Sequence, residues 1–388
     1  MQSPRLAFFR LMWLWMALSS FVAIEPSPHD YLFVLLFAVA IAFSFLSFQD
    51  YVLIPFFLMG IFLSANLLSL FFSFAYLSRA LWFLGVTFYL LVTWFFLVGL
   101  LQTFGSRILN IIFRGYMFAA LLAAFVGILA YFGWIPWAEF FLKYGNMRVS
   151  SVFKDANVFG PFLIPAVLYG IYLFENKRDF LVRAYGVIAV ILLTLGVLLS
   201  FSRAAMGHYL ISLLLYFSLP SAVSLKKRIT TILALVIFVL PFIFIILNQP
   251  QVNDLLFMRA GLQEYDSDRF GTQLASLKMA MERPLGIGPG LSEQIFNYAT
   301  HNTYVRVLTE NGVLGMLSFF YFVVLTLLRS IRHSLNIFGE NSRFSNIVTA
   351  TLAGILLSSL VIDTLHWRHF WLFLALPWIP LNNERDSE

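Results

Sequence analysis

Uncharged apolar runs recur along the whole chain, separated by short polar breaks. Twelve of them approach the length that crosses a bilayer: about 6–24, 31–48, 52–75, 80–101, 108–133, 158–174, 184–200, 204–220, 229–247, 302–328, 344–362 and 370–381. Roughly 20 apolar residues suffice for one crossing, and a helix is the open-chain form that satisfies its own backbone in lipid. The pattern therefore predicts an all-α polytopic membrane protein of about twelve transmembrane helices, built as a single integral-membrane domain over 1–388. Two polar interruptions are longer than turns, 134–157 and 248–301. In the second, GTQLASLKMAMER (271–283) spaces Leu274, Leu277 and Met281 at helical intervals. That spacing predicts a short amphipathic helix ending before Pro284 and lying on the membrane or at the bundle mouth. The first run begins with Arg5 and Arg10, as a signal peptide would. No clear small-residue cleavage site follows, so it reads as an uncleaved anchor.

Composition agrees with the pattern. Of 388 residues, 61% are apolar and only 11% are charged, against about 25% in soluble domains. An ordinary soluble enzyme is excluded. The chain has no cysteine, which removes disulfides, thiolate metal sites and cysteine nucleophiles. A net charge of +6 would suggest nucleic acid in a soluble protein, but basic residues also orient membrane helices. With both termini in the cytoplasm, inner segments hold Arg5, Arg10, Arg107, Lys177, Arg178, Arg183, Lys226, Lys227, Arg228, Arg329, Arg332, Arg343 and Arg385. The short outer turns then hold only Arg79, Arg203 and Arg368. That bias sets the orientation and makes a nucleic-acid partner unnecessary. Arg114 and Arg306 lie inside runs, while Lys143, Arg148, Lys154, Arg259, Arg269, Lys278 and Arg283 lie in the two longer outer segments, where topology does not account for them.

Several of these groups suggest chemistry. Arg203, in FSRA between two apolar runs, is either an interfacial arginine snorkelling to headgroups or a fork held at the membrane surface for phosphate oxygens. Arg148 opens RVSSVFKDANVFGP, where Lys154, Asp155 and Asn157 follow. This is either a solvated loop with a helix cap or the rim of a site for a polar headgroup. EYDSDRFG brings Asp266, Asp268 and Arg269. Its Asp-x-Asp pair fits a divalent metal less well than helix capping, and no metal site is assigned. PLGIGPG (284–290) follows a helix, not a strand, so it is no dinucleotide fingerprint but a tight turn. In HNTYVRVLTENGVLG, Asn302, Arg306 and Glu310 repeat at intervals of four, a polar stripe entering an apolar run. Intramembrane Arg and Glu on one face mark a functional site and are natural partners. His301 at its head is the best general-base candidate, whereas His29, His208, His333, His366 and His369 have weaker settings.

The run DRFGTQLASLKMAMERPLGIGPG, followed by HNTYVRVLTENGVLG, resembles the signature of the O-antigen ligase and polymerase superfamily of bacterial membrane glycosyltransferases. RVSSVFKDANVFGP and FSRA resemble two earlier motifs of that family, so the likeness spans about 148–315 in the family's order. One departure is that no proline precedes Asn157. The resemblance implies a GT-C-like helical fold and a multi-pass protein of the bacterial inner membrane with a periplasmic site. It also implies transfer of a glycan from undecaprenyl diphosphate to an acceptor sugar, lipid A core or similar, in lipopolysaccharide or polysaccharide biosynthesis. That chemistry uses no nucleotide sugar, cofactor or metal. On this reading Arg203 and Arg269 stabilise the leaving diphosphate and His301 takes the acceptor proton, giving inversion. Arg148, Lys154, Asn157, Asn302, Tyr304, Arg306 and Glu310 line the donor or substrate site. A polymerase of the same superfamily shares the donor and differs in acceptor. A transporter of lipid-linked sugars would need repeated, interrupted helices in both halves; no clear repeat of that kind stands out in the sequence, and its unexplained charges gather on one side.

Overall fold

The computed structural model describes residues 2–143, 145, 148–261, 264–296, 299–336 and 342–380. The chain opens with α1 (Gln2–Ala17), α2 (Pro28–Ala42), α3 (Leu53–Ser69), α4 (Leu77–Phe104) and α5 (Ser106–Tyr131). A two-stranded ribbon follows, β1 (Leu142–Lys143) paired antiparallel with β2 (Arg148–Val149). Next come α6 (Ala156–Asn176), α7 (Phe180–Leu199), α8 (Arg203–Ser218) and α9 (Leu225–Leu247). The long polar segment holds α10 (Pro250–Ala260), α11 (Glu264–Glu282) and the single turn α12 (Ser292–Ile295). The chain then forms α13 (Thr303–Leu335), α14 (Ser342–Ser358) and α15 (Arg368–Ala375).

Every apolar run contains a helix, so the all-helical polytopic class stands. Among the described residues, seven helical stretches are long and apolar enough to cross a membrane, those built on α3, α4, α5, α6, α7, α9 and α13. Shorter helices occupy the other runs. α2 and α14 are apolar helices of this shorter kind, and α1 and α8 have 16 residues each. The last run, 370–381, differs most. α15 has 8 residues, a rise of about 12 Å at 1.5 Å per residue, well short of a ~30 Å hydrocarbon core. It gives way to a 3-10 turn at Leu376–Trp378 that contains Pro377. Both pieces are buried and pack on α4, α13 and α14.

The core is centred on α6, whose most apolar window is 83% buried, against 17% for α9. The one helix is ringed by protein; most of the other's surface is left to lipid. α6 meets α7 closely because glycines face each other. A Cβ on Gly186 would lie 2.7 Å from the Gly170 carbonyl oxygen, and one on Gly170 would lie 2.9 Å from Val190 Cγ2. Close backbone approach at small residues is how membrane helices pack without a hydrophobic driving force. Around this pair, α5 packs on α1 and α7, α14 on α8, and α3 on α13. Phe62, Trp94, Phe96, Phe322 and Trp371 fill the other half of the core.

α11 extends the predicted 271–283 helix backwards by two turns. Its packed face is a row of small residues. Thr272, Ser276 and Ala280 are buried, and Thr309 Oγ1 donates to the Ser276 carbonyl at 3.1 Å. Leu274, Leu277 and Met281 stay exposed. Small side chains let α11 lie close along α13, which leaves the apolar stripe for the lipid surface. Asp266 and Asp268 fall within the first turns of this helix, so neither stands before it as a cap. Asp268 is exposed, and the Asp266 side chain lies outside the described residues.

Candidate active site

Four separated segments meet at one end of the bundle, and the local sequence explains how each is held. Asp155 caps α6, accepting from the Asn157 amide at 2.9 Å. Its neighbour Arg148 is buried, at 3% exposure. The guanidinium donates through Nε to the Ser200 carbonyl at 2.9 Å and through Nη2 to Asn157 Oδ1 at 2.7 Å. Arg148 thus ties the 148–157 segment to the turn carrying FSRA. Ser202 caps α8, and Arg203 is that helix's first residue, half-buried, with Nη1 donating to the Gly261 carbonyl at 3.3 Å. Lys154 turns elsewhere, to Glu25 Oε2 at 2.6 Å.

The second half of the site is organised by a break in α13. Gly312 has φ 70° and ψ −173° inside that helix, a conformation open to glycine and strained for other residues. The broken backbone is taken up by PLGIGPG. The Ile287 amide donates to the Thr309 carbonyl, Gly288 to the Glu310 carbonyl, and Val313 to the Pro284 carbonyl, at 2.9–3.1 Å. Gly286, at φ 89°, lies so close that a Cβ would sit 2.3 Å from the Glu310 carbonyl oxygen. The predicted tight turn is therefore a clamp on α13.

Side chains complete it. Glu310 accepts from the Gly290 amide at 2.7 Å and from the Ser292 hydroxyl. Arg306 is buried and meets Glu310 at 3.1 Å, the pairing its spacing predicts, and also Glu293 at 3.3 Å and Asp363. Arg79 donates to the Gly290 carbonyl at 2.8 Å and to Glu293 at 2.6 Å. Arg79 and Arg306 both lie against the Phe83 ring, 5.1 and 5.3 Å from its centroid. Sequence reasoning passed over Arg79, Glu293 and Asp363. Arg79 is read as a topological charge, and no spacing rule joins it to residues some two hundred positions away.

His301 stands at the head of α13. Asn302 caps that helix, its Oδ1 accepting from the amides of Tyr304 and Val305 at 3.0 and 3.1 Å. The Tyr304 hydroxyl donates to the Leu356 carbonyl at 3.0 Å. His301 itself has φ 46°, a left-handed conformation uncommon outside glycine and typical of functional positions. The adjoining backbone holds it there: Gln273 Nε2 donates to the Thr300 carbonyl at 3.0 Å, and the Thr303 amide to the Ser359 carbonyl at 2.9 Å. Burial pushes the His301 pKa below its usual 6.5, and the Arg269 charge pushes it the same way, against opposing pulls from Asp363, Asp155 and Glu293. At neutral pH the imidazole is uncharged and able to accept a proton. Arg269 is anchored by donating to the Val361 carbonyl at 2.5 Å. The charges that act on His301 thus come from four segments: the start of α6, α11, α12 and the 359–367 turn.

Residues 188–320 match the family model described as O-antigen ligase. The match covers about a third of the chain and supports its likeness to the O-antigen ligase and polymerase superfamily. The ligase match runs from within α7 to just past the Gly312 break. It contains Arg203, Arg269, the clamp and the His301–Glu310 stripe, while Arg148, Lys154 and Asn157 lie upstream of it. No curated protein matches the chain. Among the described residues, no group of three or more His, Cys, Asp or Glu side chains is placed to hold a metal ion.

Proposed function

We propose that this chain is an O-antigen ligase-type glycosyltransferase. It moves a glycan from undecaprenyl diphosphate to an acceptor sugar, lipid A core or similar, at the periplasmic face of the bacterial inner membrane. The observation that carries the reading is the half-buried His301 imidazole at one end of the bundle, its pKa lowered by burial and by the Arg269 charge. Breaking the anomeric bond to diphosphate leaves growing negative charge, which preorganised cations stabilise well in a site sheltered from water. Arg269 and Arg203 supply that charge. The acceptor hydroxyl loses its proton to His301 as it attacks the anomeric carbon, so one displacement inverts the configuration. Donor tails stay in the bilayer while the diphosphate rises to the arginines.

Arg148, Asn157, Asn302, Tyr304, Arg306 and Glu310 serve by holding these groups in place, each through the bonds described above. Lys154, salt-bridged to Glu25, stands at the edge of the same site. The test is transfer by purified protein from an undecaprenyl-diphosphate glycan to candidate acceptors in the presence of a chelator. Glycan should appear on the acceptor at an undiminished rate with inverted linkage. A strict need for divalent metal, or retention of configuration, would overturn the mechanism. Product found only on a lengthened polyprenyl chain would make the enzyme a polymerase using the same donor chemistry.

A further inference from the structure

A cavity of about 130 Å³ lies among α1, α2, α4, α5, α6 and the 366–372 segment, with Phe153, Lys154 and Val158 of the RVSSVFKDANVFGP motif on one wall. Its lining combines aromatic faces with uncharged hydrogen-bonding groups, among them Trp15, Tyr116, Trp367, Ser19, Thr93 and His369. Two buried lining nitrogens, Trp15 Nε1 and His369 Nε2, meet no hydrogen-bond partner within the protein. Such groups are costly to leave unsatisfied and so call for a ligand or solvent oxygen.

The cations on the lining are already matched by carboxylates. Lys154 meets Glu25 at 2.6 Å, and Arg368 meets Asp30 at 2.8 Å. His366 is held uncharged, its pKa lowered to about 4 by burial and by Arg306. A diphosphate finds little unmatched positive charge here. A neutral ring with apolar faces and peripheral hydroxyls finds both its needs met.

The cavity also adjoins the site on both sides. Lys154 directly precedes the Asp155 cap, and the His366 ring lies 5.2 Å from Phe83, the ring on which Arg79 and Arg306 rest. We propose that this cavity binds a neutral sugar ring, the acceptor's terminal residue, and so sets acceptor specificity. The acceptor assignment rests on the transferase reading; the sugar site itself does not.

The test uses protein in lipid nanodiscs free of glycosidic detergent, titrated calorimetrically with glucose, galactose, N-acetylglucosamine and inorganic pyrophosphate, without donor. At least one sugar should bind saturably. Trp15→Phe and His369→Ala should weaken it tenfold or more and leave pyrophosphate binding unchanged. In transfer assays the same variants should raise the acceptor KM and leave the donor KM alone. Absence of sugar binding, or sugar binding indifferent to both variants, overturns the proposal. Loss of pyrophosphate binding alone would make the cavity an anion site. Should both ligands be lost together, Glu25→Gln on the exposed rim decides: unchanged sugar affinity there sinks the proposal. Sugar binding without any transfer would count against the enzymatic reading and leave the site standing.

Discussion

His301 and Arg306 lie five positions apart, at the two ends of a little more than one helical turn, yet they are held in opposite ways. Arg306 is buried among three carboxylates, and one of them, Glu310, is itself bound to the Gly290 amide and the Ser292 hydroxyl. His301 is half-buried, with a left-handed backbone and a pKa lowered by burial and by the Arg269 charge. One end of the polar stripe is over-determined and holds the clamp together. The other is strained and left chemically available. Charge inside a membrane helix thus marks a functional region without marking which residue performs the reaction, because the costliest charges to bury are the ones most completely neutralised.

The comparison breaks most visibly at Glu310. Replacing it with alanine removes a carboxylate from a buried pair and the partner of the Gly290 amide, and should cost about 3–5 kcal/mol of stability, read as a lower unfolding temperature. His301→Ala should leave that temperature unchanged and slow transfer by about 10²–10⁴-fold, the range for general-base loss. If the histidine variant unfolds early, or keeps near-normal turnover, the division of labour is wrong. Gly312→Ala should destabilise by about 1–3 kcal/mol, since its Cβ would lie 2.3 Å from the Pro284 carbonyl oxygen at φ 70°. Its activity should fall with the clamp and not independently of it. The mildest effect is on pH. His301 has a folded pKa below 6.5, so transfer should be level above that value and lost as pH falls through the lowered pKa. The same sign makes folding slightly weaker on acidification through that window, and the acid limb of the rate profile should be absent from residual His301→Ala activity.

Much of this was readable from residue order. Apolar runs located the helices because lipid imposes one solution on the backbone, and the interval of four from Asn302 to Glu310 predicted the Arg306–Glu310 pair. What could not be read depended on contacts between distant segments. Arg79, Glu293 and Asp363 join Arg306 from three other elements, and nothing local distinguishes them from ordinary surface charges. Helical periodicity found α11 through its apolar stripe, but the small residues Thr272, Ser276 and Ala280 that pack it on α13 carry no such signal. The last run looked long enough to cross, yet its chain bends at Pro377 and packs inside.

The clamp also has a consequence for biosynthesis. PLGIGPG leaves the ribosome before the residues that receive it, Thr309, Glu310 and Gly312, and the backbone around His301 waits longer still, for Ser359 and Val361. The His301 end of the bundle is thus completed only after α14 has been made. A nascent chain stalled short of that point would carry every motif but lack the contacts that hold His301 and Arg269 in place.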